Sequence, residues 1–254
     1  MLRFWQEMTA ADFRTLPADA VAILPVAATE QHGPHLPTGT DHLILDGILK
    51  AAARTAPNAE AVALPVQPVG WSPEHGRFPG TLSLDAELLV RAWTELGVWV
   101  KRSGFTRLLI LNSHGGNPPA IDITAMRLRA DHGLLVVKSH WETLAEPGRT
   151  APPGAPALDW HGGWIETSVM LHLHPALVRM EHAADSPVTH PHDLPPDGPA
   201  HWAWMTGDLN PAGVLGNPSL ASAERGETLV GHAVSGLADL LLRMQKTAWP
   251  PAPA

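Results

Sequence analysis

Short, continuously apolar runs that alternate with helical patterns restrict this chain more than any other feature of its sequence. Val21-Ala22-Ile23-Leu24-Pro25-Val26 reads as a buried strand, and from Asp41 to about Arg54 the residues Leu43, Ile44, Ile48, Leu49 and Ala52 recur at helical spacing. Ala61 to Val69 reads as a second strand, which Pro65 and Pro68 push toward an edge or bulged position. Asp85 to Ser103 predicts a helix capped by Asp85, with Leu88, Leu89, Ala92, Trp93, Leu96, Trp99 and Val100 on one apolar face. A strand over Arg107–Leu111, a helix over Pro118–Ala130 and a strand over Leu134–Val137 complete the series. Strands apolar on both faces, joined by helices, imply an α/β fold with a mostly parallel central sheet. Such sheets bind ligands beyond the carboxyl ends of their strands, so polar residues just after strands are the candidates for function.

The second half is less regular. Residues 143–158 are rich in proline and glycine and too long for a simple connector, which suggests a lid or a subunit contact. A short helix over Gly163–His172 and a long one over Leu220–Met244 frame an irregular stretch, 183–218, with Trp202 and Trp204 assigned to subunit contacts. No internal repeat or linker separates two cores, so residues 1–254 are expected to form one domain. The formal net charge of -8 leaves no basic footprint for a nucleic acid, and no apolar run is long enough to span a membrane. The N-terminal residues lack the apolar core of a signal peptide, so the expected location is the cytoplasm.

Three strand-end loops carry the chemistry. The first contains Glu30, His32, His35 and Asp41, with Glu30 and His32 one residue apart and therefore on one side of an extended backbone. The second is Asn112-Ser113-His114-Gly115-Gly116-Asn117. The third is Asp159-Trp160-His161-Gly162-Gly163-Trp164-Ile165-Glu166-Thr167-Ser168, with Glu166 in the first turns of a helix. A fourth loop offers Glu74 and His75 as substrate-facing groups. Each has a plainer reading: Asp41 as a helix cap, Glu166 as a partner of a helix dipole, the histidines as solvated loop residues. Together they place imidazoles and carboxylates at one end of one sheet. The chain has 15 histidines and no cysteine, so thiol nucleophiles and thiolate ligands are excluded. Carboxylate–imidazole ligation suits zinc, manganese or iron at a hydrolytic site, often as an ion pair sharing a carboxylate.

The ordered set Glu30-Gln31-His32-Gly33-Pro34-His35, Asp41, Asn112-Ser113-His114-Gly115-Gly116-Asn117, and His161-Gly162-Gly163 with Glu166-Thr167-Ser168 resembles the creatininase (creatinine amidohydrolase) family. The resemblance runs over roughly residues 10–245. It implies a three-layer α/β/α fold, two divalent ions per chain (zinc first, manganese or iron(II) as alternatives) and a homo-oligomer, often a hexamer. It also implies that Glu30, Asp41 and His114 hold one ion, and that His32, Asp41 and a further carboxylate hold the other. His161 matches the residue that moves protons near the substrate.

One departure bears on the substrate. In creatinine-hydrolysing relatives the second motif carries a ligating glutamate after a tyrosine; here those positions are Gly116 and Gly115. Glu166 is therefore assigned as the second ion's carboxylate, or else as the catalytic acid in place of His161. Glu74, His75, Gly115 and Gly116 are assigned to the substrate side. The expected function is a metal-dependent amidohydrolase that uses activated water to cleave a carbon–nitrogen bond of a small cyclic or linear amide other than creatinine. The alternatives are a mycofactocin-type peptidase, a formamide hydrolase of flavin-type cofactor biosynthesis, and a catalytically silent metal-binding oligomer. A phosphorylated substrate would need cations, for which Arg77 and Arg149 are the loop candidates.

Overall fold

The structure is a computed structural model that describes residues 1–55, 59–190 and 193–250. Five strands form one parallel sheet: β1 (Leu2–Phe4), β2 (Val21–Val26), β3 (Ala61–Ala63), β4 (Arg107–Asn112) and β5 (Leu135–His140), in the order β1-β3-β2-β4-β5. The helices are α1 (Ala10–Phe13), α2 (Thr40–Arg54), α3 (Ala86–Arg102), α4 (Pro118–His132), α5 (Trp141–Ala145), α6 (Trp164–Leu173), α7 (Thr206–Leu209) and α8 (Ala223–Lys246). Among the described residues no helix is long and apolar enough to cross a membrane.

Alternation within the buried strands divides the core into two layers. Val21, Ile23, Leu109 and Leu111 pack with α2, α6 and α8, through residues such as Ile44, Val169 and Leu237. Ala22, Leu24, Leu108 and Ile110 turn the other way onto α3 and α4, against Trp93, Ile121 and Leu128. All six residues of β2 and of β4 are buried, as expected for central strands covered on both faces. Asp85 caps α3, its carboxylate accepting from the backbone N–H groups of Glu87 and Leu88.

Four expectations need correction. The strand expected over Ala61–Val69 ends at Ala63, and it is internal, because the N-terminal residues Leu2–Phe4 add an unforeseen strand outside it. Pro65 interrupts the ladder, which resumes irregularly where the Gln67 N–H donates to the Pro25 carbonyl. On α3, Trp93 is core but Trp99 is 58% exposed, with the Arg102 guanidinium over its ring, and Leu88 is also exposed. The stretch 143–158 is not wholly irregular, since it begins inside α5 and contains a 3-10 turn at Pro147–Arg149.

The strand order positions the site. The connections from β2 and β5 lead to α2 and α5 on one side of the sheet and that from β4 leads to α4 on the other, so a crevice opens where the loops after β2 and β4 part.

Candidate metal centre

The loop after β2 folds back on itself, with the Glu30 N–H donating to the Thr38 carbonyl at 2.8 Å, and feeds directly into α2. Gly39, not Asp41, is the N-cap of α2. The Asp41 carboxylate is thereby free of a capping role and faces the crevice. Glu30, His32 and Asp41 are each 1% exposed or less.

Two carboxylate–imidazole groups form around Asp41. In the first, Glu30, Asp41 and His114 bring ligand atoms within 4.8 Å of one another; in the second, His32, Asp41 and Glu166 do the same. Asp41 divides its oxygens between them: Oδ1 lies 3.4 Å from His32 Nε2 and Oδ2 3.8 Å from His114 Nδ1. Glu30 Oε1 is 3.1 Å from His114 Nδ1, and Glu166 Oε2 is 3.7 Å from His32 Nε2. The left-handed Gly162 (φ 61°) aims its N–H at Glu166 Oε2, 2.6 Å away, and fixes that carboxylate's orientation.

Backbone carbonyls set the imidazole tautomers. His32 Nδ1 donates to the Glu30 carbonyl at 3.0 Å, which leaves the Nε2 lone pair facing Asp41 and Glu166. His114 Nε2 donates to the Trp71 carbonyl at 2.9 Å, which turns the Nδ1 lone pair toward Glu30 and Asp41. Glu30 Oε2, His32 Nε2 and Asp41 Oδ2 are buried and have no hydrogen-bond partner. Three orphaned buried atoms, all of them hard or borderline donors aimed at shared points, fit a pair of divalent cations.

The electrostatics of the ion-free protein show the same tension. Burial pushes the Asp41 carboxyl up to about 7, with the Glu30 charge adding to it against the opposing pull of His32. Burial also raises Glu30, but the nearby His114, His75 and His161 outweigh it and hold that group below the usual carboxylate range. For His114, burial favours the neutral ring, yet Glu30 and Asp41 overcome it and push the group up to about 10. A bound dication would displace those protons.

Gln31 organises the neighbouring histidines. Its side-chain amide donates to His75 Nδ1 (2.8 Å) and to the Gly213 carbonyl (2.7 Å), while its backbone carbonyl accepts from His161 Nε2 (2.6 Å). His75 Nε2 then donates toward Glu30 Oε1 at 3.3 Å, so His75 steadies the Glu30 carboxylate. His161 is left with its Nδ1 lone pair 3.5 Å from Glu30 Oε1, and burial, with His32 and His75, holds it well below the ordinary histidine range. Asp159 accepts from the N–H groups of Trp164, Ile165 and Asn217 and anchors the start of α6.

Sequence reasoning missed Gln31, Asp159 and Thr206, whose hydroxyl lies 3.0 Å from His75 Nδ1. Gln31 stood inside the first motif but is not a common metal ligand, and Asp159 opened the third without a spacing that marked its anchoring role; Thr206 lies in the irregular stretch and gave no signal.

A cavity of about 820 Å³ opens above the cluster. Glu30, His114, His161 and Glu166 line its floor, and all four expected substrate-side residues, Glu74, His75, Gly115 and Gly116, line it too. Arg77 and Arg149 do not. A side chain cannot be accommodated at Gly116: its Cβ would meet the Trp71 carbonyl and His114 Nε2 and come within 2.7 Å of Glu74 Oε1. Glu74 therefore occupies the space a residue at 116 would claim, with Oε1 3.5 Å from His114 Nε2.

The profile of the creatininase family, described as creatinine amidohydrolase, matches residues 6–241. The chain belongs to the creatininase family. It is 32% identical to a creatinine amidohydrolase of Pseudomonas putida, over 93% of each chain. It is also 32% identical to a mycofactocin precursor peptide peptidase of Mycolicibacterium smegmatis, over 89% of this chain and 85% of that one. A mutant creatininase described as the Zn-Zn type superposes with a TM-score of 0.80 at 28% identity, covering 98% of each chain. A structure described as creatininase Mn gives 0.75 at 26% identity, over 98% and 99%. The α/β fold with its parallel sheet is thus the creatininase fold, and the chain is an enzyme of this amidohydrolase family.

Proposed function

We propose that this creatininase-family enzyme is a two-metal amidohydrolase that cleaves a carbon–nitrogen bond in a small cyclic or linear amide other than creatinine. The observation that carries the reading is the division of the Asp41 carboxylate between two ligand groups whose free atoms are buried and unpartnered. Glu30, Asp41 and His114 would hold one ion, and His32, Asp41 and Glu166 the other. Zinc or manganese is the expected occupant. When bound, such ions supply Lewis acidity, lowering the pKa of water toward about 7 and polarising a carbonyl oxygen.

The chain's own residues do the rest. His161 is neutral, is fixed through Nε2 by the Gln31 carbonyl, and keeps Nδ1 free at the cavity floor. It takes a proton from the attacking water at Nδ1 and returns it to the leaving nitrogen. Glu166, held by Gly162, serves as ligand, and the acid role assigned to it as an alternative passes to His161. The absence of a side chain at position 116, filled instead by Glu74, supports a substrate other than creatinine, as does a cavity roomy enough for a larger ligand. Because no arginine lines that cavity, a phosphorylated formamide is the weaker alternative; the peptidase reading keeps the support of its 32% identical relative.

The test is elemental analysis of the purified protein, followed by hydrolysis of lactams, hydantoins, formamides and short peptides after zinc or manganese reconstitution. Stoichiometric binding of both ions with turnover of at least one amide is expected. Failure to turn over any of them with either metal would support a silent metal-binding protein instead.

A further inference from the structure

We infer that the substrate carries a positively charged group, received by Glu142 and the tryptophans that line the cavity above the metal cluster. The inference rests on the amidohydrolase reading of the same site and names its substrate class.

No lysine or arginine is among the residues lining the cavity, whereas Glu30, Glu74, Glu142 and Glu166 all are. Glu30 and Glu166, with Asp41, offset the charge of bound cations, and Glu74 lies against His114. Glu142 has no such assignment. It opens α5 immediately beyond the carboxyl end of β5, and among the described residues its carboxylate has neither a hydrogen bond nor an ion pair. Its neighbour His140 supplies no charge: Nδ1 accepts from the Glu142 N–H, and burial holds the ring down to about 4. Burial, reinforced by Glu166, Asp159 and Asp41, also pushes the Glu142 carboxyl well above its ordinary range.

The cavity is also lined by aromatic rings. Trp71, Trp160, Trp202 and Trp204 line the cavity; Trp160 and Trp204 stack at 5.9 Å and 9°, and Trp204 is pinned by its N–H to the Pro196 carbonyl at 3.1 Å. Indole faces attract cations, and a carboxylate in the same cavity completes the receptor for an ammonium or guanidinium group. Of these tryptophans, Trp202 and Trp204 were expected at a subunit contact, and here they line the pocket.

The test uses the zinc-loaded protein and its tryptophan fluorescence, titrated with short alkylammonium and alkylguanidinium ions and with alkanols of equal length. The cations are expected to bind at least about tenfold more tightly than the alkanols. The ratio should collapse in Glu142→Gln and survive in Glu142→Asp, which keeps the charge. The same ratio should appear in kcat/KM for ω-amino amides against plain alkyl amides. Equal affinity for cation and alcohol in the wild type overturns the inference, and so does a ratio that persists in Glu142→Gln. Because binding is read without turnover, a protein that binds cations but hydrolyses no amide refutes the proposed function and leaves this inference standing.

Discussion

Replacing Asp41 by Asn separates the two roles of a buried carboxylate, because stability and function are expected to move in opposite directions. In the ion-free protein the Asp41 side chain is 1% exposed and Oδ2 has no hydrogen-bond partner. Burial raises its pKa from 3.8 to about 7. The native state therefore binds more protons than the unfolded chain between those values, so stability falls as pH rises through that window and the full penalty is present above pH 7. At about 1.4 kcal/mol per pH unit, the buried charge costs on the order of 4 kcal/mol at pH 8. Asparagine carries no charge but leaves polar atoms unmet, at about 1–3 kcal/mol. Chelator-treated Asp41→Asn should therefore be more stable than wild type by about 1–3 kcal/mol at pH 8, with the advantage shrinking toward pH 4. Urea denaturation at both pH values measures this. Metal-loaded protein should show the reverse order, since ions that bind only the native state stabilise it by mass action and the variant loses their shared ligand. Activity should fall by at least about a thousandfold, as when a catalytic unit loses a member. An Asn variant that is less stable than wild type without metal, or that keeps both ions, would refute the argument that Asp41 is a bridging ligand held at the expense of the fold.

Further outcomes are expected elsewhere in the site and fold. Glu166→Gln should release the ion shared with His32 and retain the other, and retention of both by elemental analysis contradicts its assignment as a ligand. His161→Ala should keep both ions yet lower kcat by about 10²–10⁴-fold, the range for losing a general acid–base; unchanged kcat removes it from the mechanism. Gly226→Ala puts a Cβ against the Ser168 carbonyl and within 2.8 Å of His172 Cβ, where α8 crosses α6. Overpacking there should cost about 1–3 kcal/mol, seen as a fall in Tm of several degrees. A variant with wild-type Tm shows that the crossing can relax.

The central sheet was legible because β2 and β4 are apolar on both faces and alternate with helical patterns, as a covered parallel sheet requires. The strand Leu2–Phe4 was not, since three residues carry no periodicity and gain strand character only by pairing with Ala61–Ala63. Trp99 was misread for a related reason: helical spacing gives the stripe on α3, but the width of that stripe depends on how closely α4 approaches it.

Residue types and their order determined the chemistry available: no cysteine, and Glu30, His32, Asp41, His114 and Glu166 placed just after strands or at helix starts. Only the tertiary structure decided how those residues share the work. Which imidazole nitrogen is free depends on a carbonyl from a distant loop, Trp71 for His114 and Gln31 for His161. The vacancy at Gly116 is closed by Glu74, and Trp160 meets Trp204, because loops far apart in the chain converge above one end of the sheet. Local sequence fixes a side chain's donors and charge, whereas its tautomer, pKa and partner follow from burial and from neighbours brought by long-range packing.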